Sequence, residues 1–395
     1  MEQEFGWSDA AAQAGADLRS ANRWRDVRSL SGGGVSTTLP DGRSVVQFAS
    51  NDYLGLSQHP AVRAAAIEAI EGMGTGSGAS RLVVGSRPVH DELESELARW
   101  KHTDAALLFA SGYAANVGTI TALARLGVST GEPVAVVSDE LNHASIIDGT
   151  RLAGVPVSVY PHVDVDAAAA AVVAHRRDGR RPIVVTDSVF SMDGDVAPLA
   201  DLADVAASTG ALLVVDDAHA VFAGSGADLL LGATCEWLVV GTLSKSLGSL
   251  GGFVAGPTAM VDWFRNTARS LIFSTASPPS AAAAALAALA VVKSPEGAAL
   301  TAALRFNVDR LRPGHESAVV PIVLGDERRA LDVSAALLGA GFLVPAIRPP
   351  SVAVGASRLR IALSAAHSIA DVDRLVEAFG GVGVDLRHET GDGSA

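Results

Sequence analysis

Leu212-Leu213-Val214-Val215-Asp216-Asp217-Ala218-His219 and Leu238-Val239-Val240-Gly241-Thr242-Leu243-Ser244-Lys245-Ser246-Leu247-Gly248 are the stretches that decide the fold. Each opens on a short run of branched apolar residues without polar alternation. Such runs suit strands covered on both faces, the situation of a parallel sheet. Each run then breaks into residues that carry chemistry: two carboxylates and a histidine in the first, hydroxyls and a lysine in the second.

Working outward, similar runs occur at 105–109, 134–138, 155–160, 183–187 and 252–255, besides 212–216 and 237–241. Amphipathic helices at 112–125, 166–176 and 199–208 fill gaps between them. Strands alternating with helices predict an α/β domain with a mostly parallel central sheet covered by helices. After Lys293-Ser294-Pro295 the pattern changes. Helices at 298–311, 327–340 and 370–379, with strands at 318–324 and 359–363, predict a smaller α/β C-terminal domain. Residues 1–50 read as an N-terminal arm, with a helix near 10–27 and a short strand pair around Asp41-Gly42. The expected units are thus 1–50, 51–294, 295–381 and a disordered tail at 382–395. The longest apolar run, 281–292, is mostly alanine and shorter than the about 20 residues that span a bilayer. It predicts a buried or subunit-contact helix, with no membrane partner.

The chain has 395 residues, with 43 acidic against 30 basic, for a formal net charge of −13. A phosphate backbone would repel it, so nucleic acid is not an expected partner. One cysteine, Cys235, allows no intramolecular disulfide, which fits a reducing cytoplasm. The first residues lack the basic and apolar regions of a signal peptide. No metal is expected.

Lys245 follows a buried strand, where desolvation disfavours the ammonium form. A neutral lysine amine is a nucleophile that forms Schiff bases. Asp216 ends another such strand, where ligands bind in open parallel sheets. A carboxylate there can keep a pyridine nitrogen protonated. The two lie 29 residues apart, room for a turn, a helix and a return strand. Together they point to a pyridoxal phosphate site, with Thr242 and Ser244 as hydroxyl donors for the phosphate. Singly, Asp216 also reads as a helix cap and Lys245 as a surface lysine. His143, just after 134–138, could stack on an aromatic cofactor or cap a helix. Ser111-Gly112-Tyr113 opens a helix after a strand, as a phosphate cradle or a tight turn. Arg358 and Arg360 share one face of a strand. A guanidinium there could bind an amino-acid carboxylate, or be a surface group on an edge strand.

Longer stretches carry a resemblance. They are Ala49-Ser50-Asn51-Asp52-Tyr53-Leu54-Gly55-Leu56, Gly76-Ser77-Gly78-Ala79-Ser80-Arg81-Leu82-Val83, and Asp187-Ser188-Val189-Phe190-Ser191-Met192-Asp193-Gly194-Asp195. Thr242-Leu243-Ser244-Lys245, Phe273-Ser274-Thr275-Ala276-Ser277-Pro278-Pro279 and Ile347-Arg348-Pro349-Pro350 complete the set. From about residue 15 to 380 the chain resembles the α-oxoamine synthases. The resemblance implies the fold-type I architecture of pyridoxal phosphate enzymes and homodimers with shared active sites.

It also implies roles. Lys245 would carry the cofactor, Asp216 meet the pyridine nitrogen, His219 the ring hydroxyl, and His143 stack on the ring. Ser191 would lie near the cofactor. Ser111, Gly112, Tyr113, Thr242 and Ser244 would surround the phosphate, and Thr275 would reach the cofactor of the partner subunit. Arg360 would hold the amino-acid carboxylate, with Asn51 beside it. Arg23 and Arg348 would lie toward the substrate. Ser80 resembles the residue of the biotin-pathway member, where glycine-using members carry threonine; the smaller side chain leaves room for the methyl of L-alanine. The implied acyl donor is pimeloyl-CoA or pimeloyl-acyl carrier protein. A sister synthase with another amino acid or thioester, and a non-catalytic binding protein of the same fold, stay open. The chain departs from the family in one place: at 220–228 the loop is shorter and lacks the family's arginine, which bears on the acyl substrate.

Overall fold

The computed structural model describes residues 6–224 and 226–386. The expected disordered tail at 382–395 is corrected at its start: Val384 and Leu386 are buried in the core, because they pack beside helix Pro295–Leu311, while residues 387–395 lie outside the described residues. The strands are β1 (Ser36–Thr38), β2 (Ser44–Gln47), β3 (Ala105–Phe109), β4 (Val134–Asp139), β5 (Val157–Tyr160), β6 (Arg181–Asp187) and β7 (Leu212–Asp216). They continue as β8 (Trp237–Thr242), β9 (Gly252–Gly256), β10 (Val319–Gly325), β11 (Phe342–Leu343), β12 (Ala346–Ile347) and β13 (Ser357–Ala362).

Seven strands form the central sheet in the order β3-β9-β8-β7-β6-β4-β5. From β8 to β5 all pairings are parallel; β9 runs antiparallel to both β8 and β3. The apolar runs are continuous because each face has its own helical layer. Leu107, Val136, Val185, Val214 and Val240 pack toward helices Gly112–Thr130 and Thr258–Thr267. Val137, Val184, Leu213 and Val215 pack the other way, against helices Val165–Arg177 and Leu199–Thr209. The alanine-rich run is helix Pro279–Val292, which buries Ala282, Ala285, Ala288 and Leu289 against helices Pro60–Met73 and Pro88–Trp100. Among the described residues, no single helix is long and apolar enough to cross a membrane.

Two small sheets complete the fold, in the orders β10-β13-β12 and β1-β2-β11. In the second, the hairpin of the arm joins a strand from the C-terminal region through the parallel pair β2–β11. β13 is the middle strand of its sheet and is buried along its whole length, so the edge-strand reading of Arg358 and Arg360 is corrected. The first helix is also corrected. It spans Trp7–Ser20 and stops well short of residue 27, because the chain turns at Asn22, which takes a left-handed φ of 56°.

Candidate active site

The carboxyl ends of β4, β6, β7 and β8 open onto one cavity of about 190 Å³. Among its lining residues are Gly112, His143, Asp187, Asp216, His219 and Lys245. Strand ends converge there because parallel strands all point the same way and the following loops spread apart.

Lys245 sits on the turn after β8. Its Nζ lies 2.7 Å from His219 Nε2, and His219 Nδ1 lies 2.6 Å from the Tyr53 hydroxyl. Burial lowers the lysine to about 8, against the opposing pull of Asp216 and Asp187. Burial, then Lys245, holds His219 well below the ordinary histidine value, so the ring is neutral. Burial raises Tyr53 to about 12, so its hydroxyl keeps its proton. One imidazole thus links a tyrosine hydroxyl to the lysine amine.

Asp216 is fixed from two sides. Asn116 Nδ2 donates to Oδ2 at 2.6 Å and the Ala218 N–H donates to Oδ1 at 3.0 Å. Asn116 also donates to Ser145 Oγ, which lies 2.7 Å from His143 Nδ1. His143 caps helix Ala144–Ala153 and lines the cavity at once, so its two sequence readings coexist. Burial lowers it, with Lys245 adding to the shift and Asp216 opposing it.

At the cavity mouth, Ser111 caps helix Gly112–Thr130 by accepting from the Ala114 N–H. A Cβ on Gly112 would lie 3.3 Å from Cβ of Thr242, so the helix start and the β8 hydroxyls face each other closely. Thr242 Oγ1 and Ser244 Oγ are 2.7 Å apart. The Tyr113 hydroxyl instead donates to Asp148 at 2.7 Å.

Arg360 on β13 reaches over from the small sheet. Its Nε donates to the Ser191 carbonyl at 2.5 Å and its Nη2 to Asn51 Oδ1 at 3.0 Å. Arg358 pairs with Asp193 on the same loop. These bonds tie β13 to the segment that carries Ser191.

The remaining expected residues lie elsewhere in the chain. Thr275 and Ser80 pair with each other as an isolated β-bridge, and Thr275 lines a separate cleft with Arg81 and His90. Arg23 forms an ion pair with Glu327 at 3.0 Å. Arg348 donates to the carbonyls of Asn22 and Trp24, fastening the arm. The loop at 220–228 folds back on Asp217, whose Oδ1 accepts from Ala227 N at 3.1 Å and whose Oδ2 lies 2.5 Å from Lys101 Nζ. Its residue 225 lies outside the described residues.

Tyr53, Asn116, Ser145 and Asp187 belong to the site without having been singled out. Asn116 had a signal, a polar residue on the buried face of an apolar helix. Tyr53 and Asp187 lay in quoted motifs, but nothing in their spacing set them apart.

The donor set fits pyridoxal phosphate: a desolvated amine for the aldehyde, a braced carboxylate for the ring nitrogen, and hydroxyls at a helix start for the phosphate. The sequence profile of the aminotransferase class I and II family matches residues 43–379. The chain belongs to that family, and within it to the α-oxoamine synthases. It is 44% identical over 385 residues to the 8-amino-7-oxononanoate synthase of Geobacter sulfurreducens, covering 93% of this chain and 96% of that protein. It is 46% identical over 379 residues to the 8-amino-7-oxononanoate synthase of Methylobacterium nodulans, covering 95% and 97%. Its fold superposes on serine palmitoyltransferase from S. paucimobilis, solved with bound PLP–myriocin, at a TM-score of 0.85 and 28% identity, covering 95% of this chain and 98% of that one.

Proposed function

We propose that this chain condenses L-alanine with a pimeloyl thioester to give 8-amino-7-oxononanoate in biotin biosynthesis, with pyridoxal phosphate as cofactor. The observation that carries the reading is the single cavity holding Lys245, His219, Asp216 and His143. Relatives of one name at 44% and 46% identity over nearly the whole chain support it. In the net reaction a bond forms between the alanine Cα and the acyl carbonyl carbon. The C–S bond breaks, the thiol departs with a proton, and the alanine carboxylate leaves as CO2.

Pyridoxal phosphate, bound through its aldehyde, supplies an electron sink for the pair left when a bond to the alanine Cα breaks. Lys245 would hold the cofactor through Nζ, and the same amine would take the Cα proton of the substrate. Its lowered pKa keeps a useful neutral fraction near neutral pH. Asp216, steadied by Asn116 and Ala218, would place negative charge for the cofactor's ring nitrogen. His143, which lines the same cavity, would cover one face of the ring. His219, with Tyr53 behind it, fixes the position of the lysine amine. Arg360 spends two of its five N–H donors on Ser191 and Asn51, leaving others for the substrate carboxylate. Ser111, Gly112, Thr242 and Ser244, which line the cavity, would hold the phosphate.

The working form in this proposal is a cytoplasmic homodimer. The exposed apolar side chains of Leu82, Val83, Val84 and Phe273 are its contact surface, and Thr275 reaches the cofactor of the partner subunit. The test is a product assay. Purified protein with pyridoxal phosphate is given L-alanine, glycine or L-serine, each with pimeloyl-CoA, pimeloyl-acyl carrier protein, acetyl-CoA or palmitoyl-CoA. Mass spectrometry should find 8-amino-7-oxononanoate as the main product. A main product from glycine and acetyl-CoA, or no product from any pair, overturns the reading.

A further inference from the structure

A second cavity, of about 70 Å³, lies apart from the one that holds Lys245. Three parts of the chain close it: Gly34 and Val35 of the arm, the segment 47–58, and the turn 364–367 after β13. Asp52 lines it, and its Oδ1 is buried with no hydrogen-bond partner among the described residues. The other oxygen, Oδ2, accepts from the Ser57 N–H at 3.2 Å. A carboxylate oxygen shut away from solvent needs a counter-charge or a donor. The cavity wall supplies neither. Among the described residues, no lysine or arginine lines it. Its basic group is His367, and both ring nitrogens are spent. Nδ1 accepts from the Ser364 N–H at 2.9 Å and Nε2 donates to the Gln47 carbonyl at 3.0 Å, so the ring is neutral. The amide nitrogens of Gln47 and Gln58 donate to the Gly34 carbonyl and the Ser57 hydroxyl, not to Asp52.

We infer that this cavity binds a hard monovalent cation, with Asp52 Oδ1 as its charged ligand and serine hydroxyls of the wall as neutral ones. The donor chemistry selects the class of ion. Ser50, Ser57 and Ser364 offer oxygen, and the imidazole that could favour a transition metal is already committed. One carboxylate balances one positive charge, whereas calcium and magnesium sites gather more acidic oxygens or keep most of their water. A water needs about 10–15 Å³ of such space, so the cavity has room for an ion with part of its hydration shell. The site is also placed to matter. Asp52 lies between Asn51, whose Oδ1 accepts from Arg360 Nη2 at 3.0 Å, and Tyr53, whose hydroxyl lies 2.6 Å from His219 Nδ1. A cation on Asp52 would steady this segment and, through Asn51, the guanidinium that meets the amino-acid carboxylate. That last consequence rests on the function proposed above.

The test compares the chlorides of potassium, sodium, lithium and tetramethylammonium at one ionic strength, on the cofactor-loaded protein. Potassium or sodium at about ten times its Kd should raise Tm by about 2 °C over tetramethylammonium, and the rise should saturate. Thallium(I) NMR should show a bound ion that potassium displaces. Asp52→Asn, which keeps the shape and removes the charge, should abolish both signals. Gln58→Lys carries an ammonium into the wall; it should abolish the salt difference while raising Tm in tetramethylammonium, and it keeps the test open where Asp52→Asn fails to fold. The KM for alanine should fall about fivefold when potassium replaces tetramethylammonium, the low end of coupling between linked sites. Equal Tm in every salt with no bound thallium means that water alone fills the cavity, and overturns the inference. A salt difference that survives in Asp52→Asn places the ion elsewhere and overturns it too. A saturable rise in Tm in a protein that makes no product from alanine would keep the cation site and sink the proposed function instead.

Discussion

Lys245 is a lysine made reactive by its address. Burial brings it to about 8, so below that pH the amine is mostly protonated and cannot attack an aldehyde. Cofactor capture by the apoprotein should quicken about tenfold per pH unit and level off near pH 8. Stopped-flow absorbance reads this; a rise that continues toward the ordinary lysine value of 10.5 would show a solvated amine. Lys245→Ala should lower kcat by about 10²- to 10⁴-fold or more and abolish the visible band. Arg360→Lys keeps the charge but loses the planar fork that grips Ser191 and Asn51. The KM for alanine should rise about tenfold or more, with a smaller effect on the KM for the thioester. Steady-state kinetics against each substrate make that comparison.

At the scale of elements, the loop at 188–196 places Ser191 and, through its carbonyl, Arg360. Two features hold it. Gly194 has a φ of 74°, and a Cβ there would come within 2.0 Å of the Val319 carbonyl oxygen, so only glycine fits. His162 bridges Asp139 at 3.0 Å and Asp195 at 2.6 Å, joining the loop to the end of β4 from which His143 projects. Burial opposes the charge on His162, but the two carboxylates outweigh it and raise the ring to about 10. The folded state thus holds this proton more tightly than the unfolded chain does. That stabilisation is complete below about pH 6.5, shrinks above it and is gone past about pH 10. His162→Gln should cost roughly 3 kcal/mol at pH 6. Thermal denaturation should show the gap to wild type narrowing as pH approaches 10.

At the scale of the whole molecule, residues 82–84 and Phe273 leave an apolar surface exposed beside Thr275. Val83→Glu should turn the proposed dimer into a monomer in sedimentation experiments and lower activity with it; a monomeric wild type would contradict the dimer. The sequence by itself determined the sheet. Strands 105–109 and 212–216 were legible to the residue, because a strand covered on both faces must be apolar throughout. It also marked Lys245, Asp216 and His143, because polar residues that end such strands fall at the same rim. The tertiary structure alone decided which distant residues meet there. Tyr53 reaches His219 from 166 positions away, and Arg360 reaches Asn51 from 309 away. It paired Arg23 with Glu327 and Arg348 with the carbonyls of Asn22 and Trp24, and made β13 a middle strand. Periodicity reports which face of an element is buried, whereas a contact between elements depends on how they pack, and no local pattern records that.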